Sequence, residues 1–198
     1  MQHPRQPHMD AALCVLRFLK SSLGKDILLP LSNNLQLLGY SDFDWASCPT
    51  TCCSVIGFCT FIGESPISWR TKKQSIVSRS TAKDEYRATV TTTCELVWLK
   101  HLLHDLGFAH SQPMHLYCDN QAALHIASNL VFHERTKRIE LDCHVVREKL
   151  QARIISTKYL RTNNQRADIF TKPLGKDRFD YLQHKLGIFD PHTHQLEG

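Results

Sequence analysis

In "GYSDFDWA", residues 39–46, Asp42 and Asp44 stand two positions apart in a stretch flanked by strand-forming residues. Strand side chains alternate sides, so the two carboxylates face the same way and repel unless something cationic sits there. Three more acids fall where elements begin or end: Glu85 early in a long helical stretch, Asp119 directly after "MHLYC", and Asp168 in "NNQRADIF". Hard divalent cations are held by several oxygen ligands, and paired ions about 3.5–4 Å apart clamp the attacking and leaving oxygens of phosphoryl chemistry. Asp42, Glu85, Asp119 and Asp168, brought to one point, would supply such a ligand set.

The elements that must position these acids follow from periodicity. Apolar residues at Ala12, Val15, Leu16 and Leu19 predict a helix over residues 9–22, with Gly24 as its stop. From Leu35 the pattern turns to strands: "LQLLGYSDFDW", then "VIGFCTFIG", then "PISWR", joined by short turn-rich links that imply an antiparallel meander. Residues 81–106 read as one long helix ended by Gly107, with Val90, Cys94, Val97 and Trp98 on its apolar face and a weak point at the three threonines 91–93. "MHLYC" is a strand, and "NQAALHIAS" begins a helix at once. "RIELDCHVVREKL" puts Ile139, Cys143, Val146 and Leu150 on one helical stripe, and "IISTKYL" alternates like a strand. "NNQRADIFTKPLG" is a loop followed by a short helix that Pro173 and Gly175 terminate, and a last helix covers roughly residues 177–186. Three meander strands followed by alternating helices and strands predict an α/β fold. Its sheet is mixed and carries helices on its faces, and the carboxyl ends of its central strands gather at one site.

Each acid also has a plainer explanation. Asp119 followed by Asn120 makes a good helix N-cap, and Asp168 in a first helical turn favours the helix dipole. Asp84 stands three residues after Thr81, a capping-box relation, whereas Glu85 shares its face with the small residues Ala82, Ala88 and Thr89. A face of small residues can press close to a sheet, so Glu85 is the better metal ligand of the two.

Composition narrows the function classes. A chain of 198 residues, 42% hydrophobic, holds one domain with a full core plus appendages. Its net charge of +5 tolerates a polyanionic partner without demanding one. No apolar run reaches the roughly 20 residues of a membrane-spanning helix, and the first residues lack a signal-peptide pattern, so a soluble intracellular protein is expected. The eight cysteines sit in strand and helix patterns and are expected as reduced thiols. Cys48, Cys52, Cys53 and Cys59 lack the paired knuckles of a structural zinc site, and Cys59 sits mid-strand, so packing is its expected role. No H-E-x-x-H, glycine-rich phosphate loop or G-x-S-x-G elbow is present.

Six blocks in order, "GYSDFDWA", "ISWRTKKQSIVSRSTAKDEYRA", "CELVWLKHLLHDLG", "LYCDNQAALHIASN", "FHERTKRIELDCHVVREKL" and "ADIFTKPL", resemble the ribonuclease H segment that closes the Pol polyprotein of copia-type LTR retrotransposons, especially those of plants. The resemblance runs along nearly the whole chain. It implies a ribonuclease H-like fold with a five-stranded mixed sheet, over about residues 35–173. Residues 1–30 would be the tail of the reverse transcriptase connection region and residues 174–198 a C-terminal helix and tail. It also implies hydrolysis of the RNA strand of an RNA:DNA hybrid during reverse transcription, with the reverse transcriptase domain of the parent polyprotein as partner. The family's four acids fall on Asp42, Glu85, Asp119 and Asp168, as catalytic groups and as ligands of two Mg²⁺ ions, with Mn²⁺ as the alternative. That selects Asp42 over Asp44, which becomes a turn or outer residue. Arg70, Lys72, Lys73 and Arg79, together with Arg135, Lys137 and Arg138, would hold phosphates; the plain alternative for both groups is a solvated surface. Cytoplasmic particles, with passage to the nucleus, would be the location.

The resemblance departs in three places. Related elements commonly carry an arginine pair where this chain has Cys52 and Cys53. Arg138 stands where histidine is frequent, and "RTNNQ" lacks the histidine that many cellular ribonucleases H use in product release. These departures motivate a rival reading, a catalytically inactive fragment that keeps the fold and weak nucleic-acid binding. A zinc-stabilised interaction module is a third.

Overall fold

The structure, a computed structural model, describes residue 3 and residues 5–31, 34–47, 50–75, 77, 81–128 and 137–191; the side chains of 21, 81–83, 126–128 and 137–143 lie outside that description. It divides into two compact units. The first takes in residues 1–28 and 188–198, the second residues 29–187.

In the first unit, α1 (Gln6–Ser21) starts with proline in its first turn and ends before Gly24, whose φ of +80° only glycine adopts freely. The stripe Ala12, Val15, Leu16 and Leu19 lies exposed on it. A two-residue strand β1 (Asp26–Ile27) pairs antiparallel with β7 (Ile188–Phe189).

The second unit is built on a five-stranded sheet in the order β4-β3-β2-β5-β6. β2 (Leu37–Asp44), β3 (Val55–Ile62) and β4 (Ser65–Lys73) form the expected antiparallel meander. β5 (Met114–Cys118) then pairs parallel to β2, and β6 (Ile155–Tyr159) parallel to β5. The helices are α2 (Thr81–Asp105), α3 (Gln121–Ser128), α4 (Lys137–Gln151) and α5 (Lys176–Lys185), with two 3₁₀ segments, η1 (Thr162–Asn164) and η2 (Arg166–Phe170), after β6. Where "ADIF" was expected as a short helix, it forms the second of these 3₁₀ turns instead. Among the described residues no helix is long and apolar enough to cross a membrane.

The core joins Leu37, Tyr86, Leu96, Leu99, Met114, Leu116, Val146 and Ile155. The face of α2 differs from the expected one: Cys94 is exposed and Trp98 is 56% exposed, while Val90 and Val97 only flank the core. The buried line runs instead through Ala88, Thr89, Thr92, Thr93 and Leu96. The threonines bury without penalty because each hydroxyl donates to the carbonyl four residues back, Thr89 to Glu85, Thr92 to Ala88 and Thr93 to Thr89. With its hydroxyl so satisfied, a threonine packs as a small β-branched filler, and α2 runs unbroken through the expected weak point. The approach is close enough that a Cβ on Gly39 of β2 would stand 2.8 Å from Thr92 Cγ2. Glu85 thereby comes down on the sheet beside the carboxyl ends of β2 and β5.

Candidate active site

Asp42 is the third residue from the end of β2, and its register partner on β3 is Gly57. Alternation turns Tyr40, Asp42 and Asp44 to the sheet face opposite α2, where η2 lies. Phe43, of the other parity, packs with Ile56 and Ala88. The close approach of η2 is made possible by Gly57: a Cβ there would stand 2.6 Å from Thr171 Cγ2 and 3.0 Å from Phe170 Cβ. Gln165, fully buried, fixes this docking. Its side-chain amide donates to Ser41 O at 2.9 Å, and its oxygen accepts from Ala167 N at 3.3 Å, capping η2. Arg166 lays its guanidinium over the rings of Tyr40 and Phe61, 5.0 and 4.6 Å from their centres. Asp168 on η2 is thus brought to Asp42 on β2.

Asp119 follows the last residue of β5, and Asn120 caps α3 by accepting from Ala123 N at 3.1 Å. Capping is therefore the work of Asn120, which leaves Asp119 directed at the site. Side-chain oxygens of Asp42, Asp119 and Asp168 lie within 4.8 Å of one another, and Glu85, Asp119 and the Cys118 thiol form a second group of the same span. Asp42, Glu85 and Asp119, with Trp45 and Lys172, line one open cleft of about 470 Å³. Asp44 shares the face of Asp42 but is outside both groups; burial, then the Asp42 charge, raises its pKa, and Lys172 and a hydrogen bond with Ser47 pull it back. Asp84 is buried and pairs with Arg87 at 3.4 Å.

Four acids in so small a space need compensation. Lys172 supplies part of it, its Nζ standing 2.6 Å from Asp168 Oδ1 and 3.0 Å from Asp42 Oδ1. Burial works against the lysine charge, but Asp42 and Asp168 outweigh it and hold its pKa above the usual lysine range. Arg178 on α5 adds a contact to Asp168 Oδ2 at 3.3 Å, and Thr171 Oγ1 donates to Asp42 Oδ2. Burial dominates at Asp168 and raises its pKa in spite of these partners. Glu85, 4% exposed, receives a thiol hydrogen bond from Cys118 at 3.4 Å. Burial, followed by the charges of Asp42 and Asp119, pushes its pKa to about 8.

The donor set suits a hard divalent cation: carboxylate oxygens from three separate elements, and an ammonium already drawn to where positive charge is wanted. Of the expected phosphate contacts, Arg70, Lys72 and Lys73 lie on the exposed end of β4, not beyond the strand. Arg70 and Lys72 share a hollow of about 210 Å³ with Arg87 and Gln74, while Thr71, on the other face, donates to Phe170 O. Arg79 and Arg135, and the side chains of Lys137 and Arg138, lie outside the described residues. A larger hollow of about 810 Å³ near His110 and Tyr117 contains none of the four acids. Cys59 is fully buried between strands, as packing requires. Sequence reasoning missed Gln165, Lys172, Arg178 and Cys118. Lys172 had a readable signal, its i+4 spacing from Asp168; the others act through contacts distant in sequence or through a thiol that periodicity assigns to the core.

No protein-family model matches the chain. Over 188 residues, 95% of its length, it is 39% identical to the retrovirus-related Pol polyprotein from transposon RE2 of Arabidopsis thaliana. The chain is a relative of plant retrotransposon Pol polyproteins. It is 31% identical, over the same share, to the corresponding polyprotein from transposon TNT 1-94 of Nicotiana tabacum. The chain spans 13% of the length of the first of these Pol relatives and 14% of the second. Among solved structures, LC11-RNase H1 in complex with an RNA/DNA hybrid is similar with a TM-score of 0.51 at 11% identity, over 69% of this chain and 94% of that one. A second structure of LC11-RNase H1 gives 0.50 at 12%. At such identity the likeness establishes architecture, and the second unit of this Pol relative has the ribonuclease H-like fold.

Proposed function

We propose that the chain is a divalent-ion-dependent ribonuclease H that hydrolyses the RNA strand of RNA:DNA hybrids in retrotransposon reverse transcription. The observation that carries this reading is the convergence of Asp42, Asp119 and Asp168, from β2, the end of β5 and η2, within 4.8 Å of one another, with Glu85 of α2 grouped with Asp119 and lining the same cleft as Asp42 and Asp119. Those four side chains would hold Mg²⁺, or Mn²⁺ in its place. When bound, such ions activate water and stabilise the departing 3′ oxygen. The chain's own part is positional and electrostatic. Asp42 and Asp168 face each other because Gln165 and Gly57 hold η2 to β2 and β3. Glu85 keeps its proton on its carboxyl at neutral pH in the ion-free site and yields it when positive charge arrives. Arg70, Lys72 and Lys73 hold phosphates of the hybrid, and a wide minor groove with its 2′-hydroxyls distinguishes the RNA strand. In the parent polyprotein, the reverse transcriptase domain is the partner that shares the grip on the hybrid.

One observation favours a second reading, a silent fragment that only binds nucleic acid: Asp42 and Asp168 are already neutralised by Lys172 and Arg178. Incubating the purified chain with an RNA:DNA hybrid and Mg²⁺, beside an Asp119→Asn variant, separates the two. The enzyme reading expects RNA-strand cleavage by the wild type and a loss of at least about a hundredfold in the variant. Equal survival of the hybrid with both proteins refutes it.

A further inference from the structure

We propose that Lys172 is a resident cation of the carboxylate cluster, limiting the free chain to one divalent ion and yielding its place to a second only when substrate brings further negative charge. This rests on the metal-site reading above. The lysine sits where it does because the chain continues its turn past η2: Lys172 N donates to Asp168 O at 2.9 Å, which points both side chains to the same side. Its ammonium then touches one oxygen from each of Asp42 and Asp168, two of the side chains that would hold a divalent ion. An ammonium and a divalent ion cannot share those oxygens, since two cations so close together repel strongly in a partly buried site.

Charge balance points the same way. Were Asp42, Glu85, Asp119 and Asp168 all ionised, four negative charges would face the two positive charges of Lys172 and Arg178. One divalent ion cancels the remainder. A second would leave a surplus of positive charge unless a phosphodiester entered with it or the lysine left. Leaving is feasible: the Lys172 side chain is 29% exposed, and a flexible four-carbon stem carries its charge. Asp119 and Glu85 make no such contact with it, so their side of the cleft is the one open to the first ion.

The test is calorimetric titration of the full chain with Mg²⁺ and with Mn²⁺, without nucleic acid, for wild type, Lys172→Met and Lys172→Arg. One site is expected for wild type and for the arginine variant. Lys172→Met is expected to bind two ions, or one ion roughly tenfold more tightly, because a competing positive charge is gone. Two equal sites in the free wild type overturn the proposal, whatever the variants do, so it remains falsifiable if Lys172→Met does not fold. Identical stoichiometry and affinity in wild type and a folded Lys172→Met variant overturn it as well. Absence of any divalent binding in all three proteins removes the metal-site reading itself, an outcome distinct from the failure of the lysine's role.

Discussion

Replacing Glu85 with glutamine changes the charge at the most deeply perturbed acid of the cleft while keeping its shape and its ability to accept the Cys118 thiol hydrogen bond. In the unfolded chain this carboxyl titrates near its ordinary 4.5, and in the folded ion-free chain at about 8. Between those values the folded state holds a proton that the unfolded state has lost. Stability therefore falls as pH rises through the window, fully intact below 4.5 and fully diminished above 8. Taking about 1.4 kcal/mol per pH unit, the loss reaches about 2 kcal/mol at pH 6, about 3 at pH 7 and a ceiling of about 5 above pH 8.5. Glutamine carries no such burden. The difference in unfolding free energy between Glu85→Gln and wild type should grow by those amounts from pH 4.5 upward, in favour of the variant.

Urea denaturation in a chelating buffer, at half-unit steps from pH 5 to 9, measures this directly. Ionisable groups common to the two proteins contribute alike, so their part cancels in the difference. With saturating Mg²⁺ the wild type should recover most of its loss, because ion binding favours ionised Glu85, and the variant should gain much less. Parallel stability curves for the two proteins between pH 5 and 8 would refute the argument that burial and the charges of Asp42 and Asp119 keep Glu85 protonated.

Three further outcomes follow from the packing around η2 and β4. Gly57→Ala sets a methyl group against Thr171 and Phe170, so it should cost about 1–3 kcal/mol in urea denaturation and weaken Mn²⁺ binding by shifting Asp168. Gln165→Ala removes a fully buried side chain and strips Ser41 O of its donor; a loss of about 2–4 kcal/mol is expected, and unchanged stability would show that η2 is held by other contacts. Neutralising Arg70 and Lys72 together should weaken hybrid binding uniformly across sequences and reduce the slope of log affinity against log salt by about 1.4–1.8, measured by fluorescence anisotropy.

The parts of the fold legible in the sequence were those set by local periodicity. Alternation in "GYSDFDW" placed Asp42 and Asp44 on one face, and short links between three strands gave the antiparallel meander that β2, β3 and β4 form. The face of α2 was misread because a hydrophobicity pattern scores threonine as polar. Thr92 and Thr93 lie fully buried, their hydroxyls spent on the helix's own carbonyls, while Trp98 stands half in water. The four acids could be named from element ends and resemblance, yet the means of holding them together could not. Gln165 reaches Ser41 across 124 positions, and Gly57 matters only because Thr171 and Phe170 arrive from far along the chain. No spacing rule encodes such contacts.

The arrangement separates two properties that decay at different rates in a sequence no longer under selection. Asp42 sits on β2 and Asp119 directly after β5, two strands paired at the centre of the sheet, and Asp168 is fixed by a buried glutamine, a glycine contact and a lysine clamp. Substitutions at Gln165 or Gly57 cost stability as well as ion binding, so the scaffold that holds the cluster persists as long as the chain folds. Arg70, Lys72 and Lys73 are exposed, and so is Cys52, at a φ of +49°, where the family resemblance leads one to expect an arginine. Exchanges of that kind leave folding almost untouched and remove phosphate contacts directly. If the proposed activity were lost by substitution, the first sign expected is weak, salt-sensitive hybrid binding with ion affinity preserved. Mn²⁺ titration and hybrid binding measured on the same protein distinguish that order of loss from its reverse.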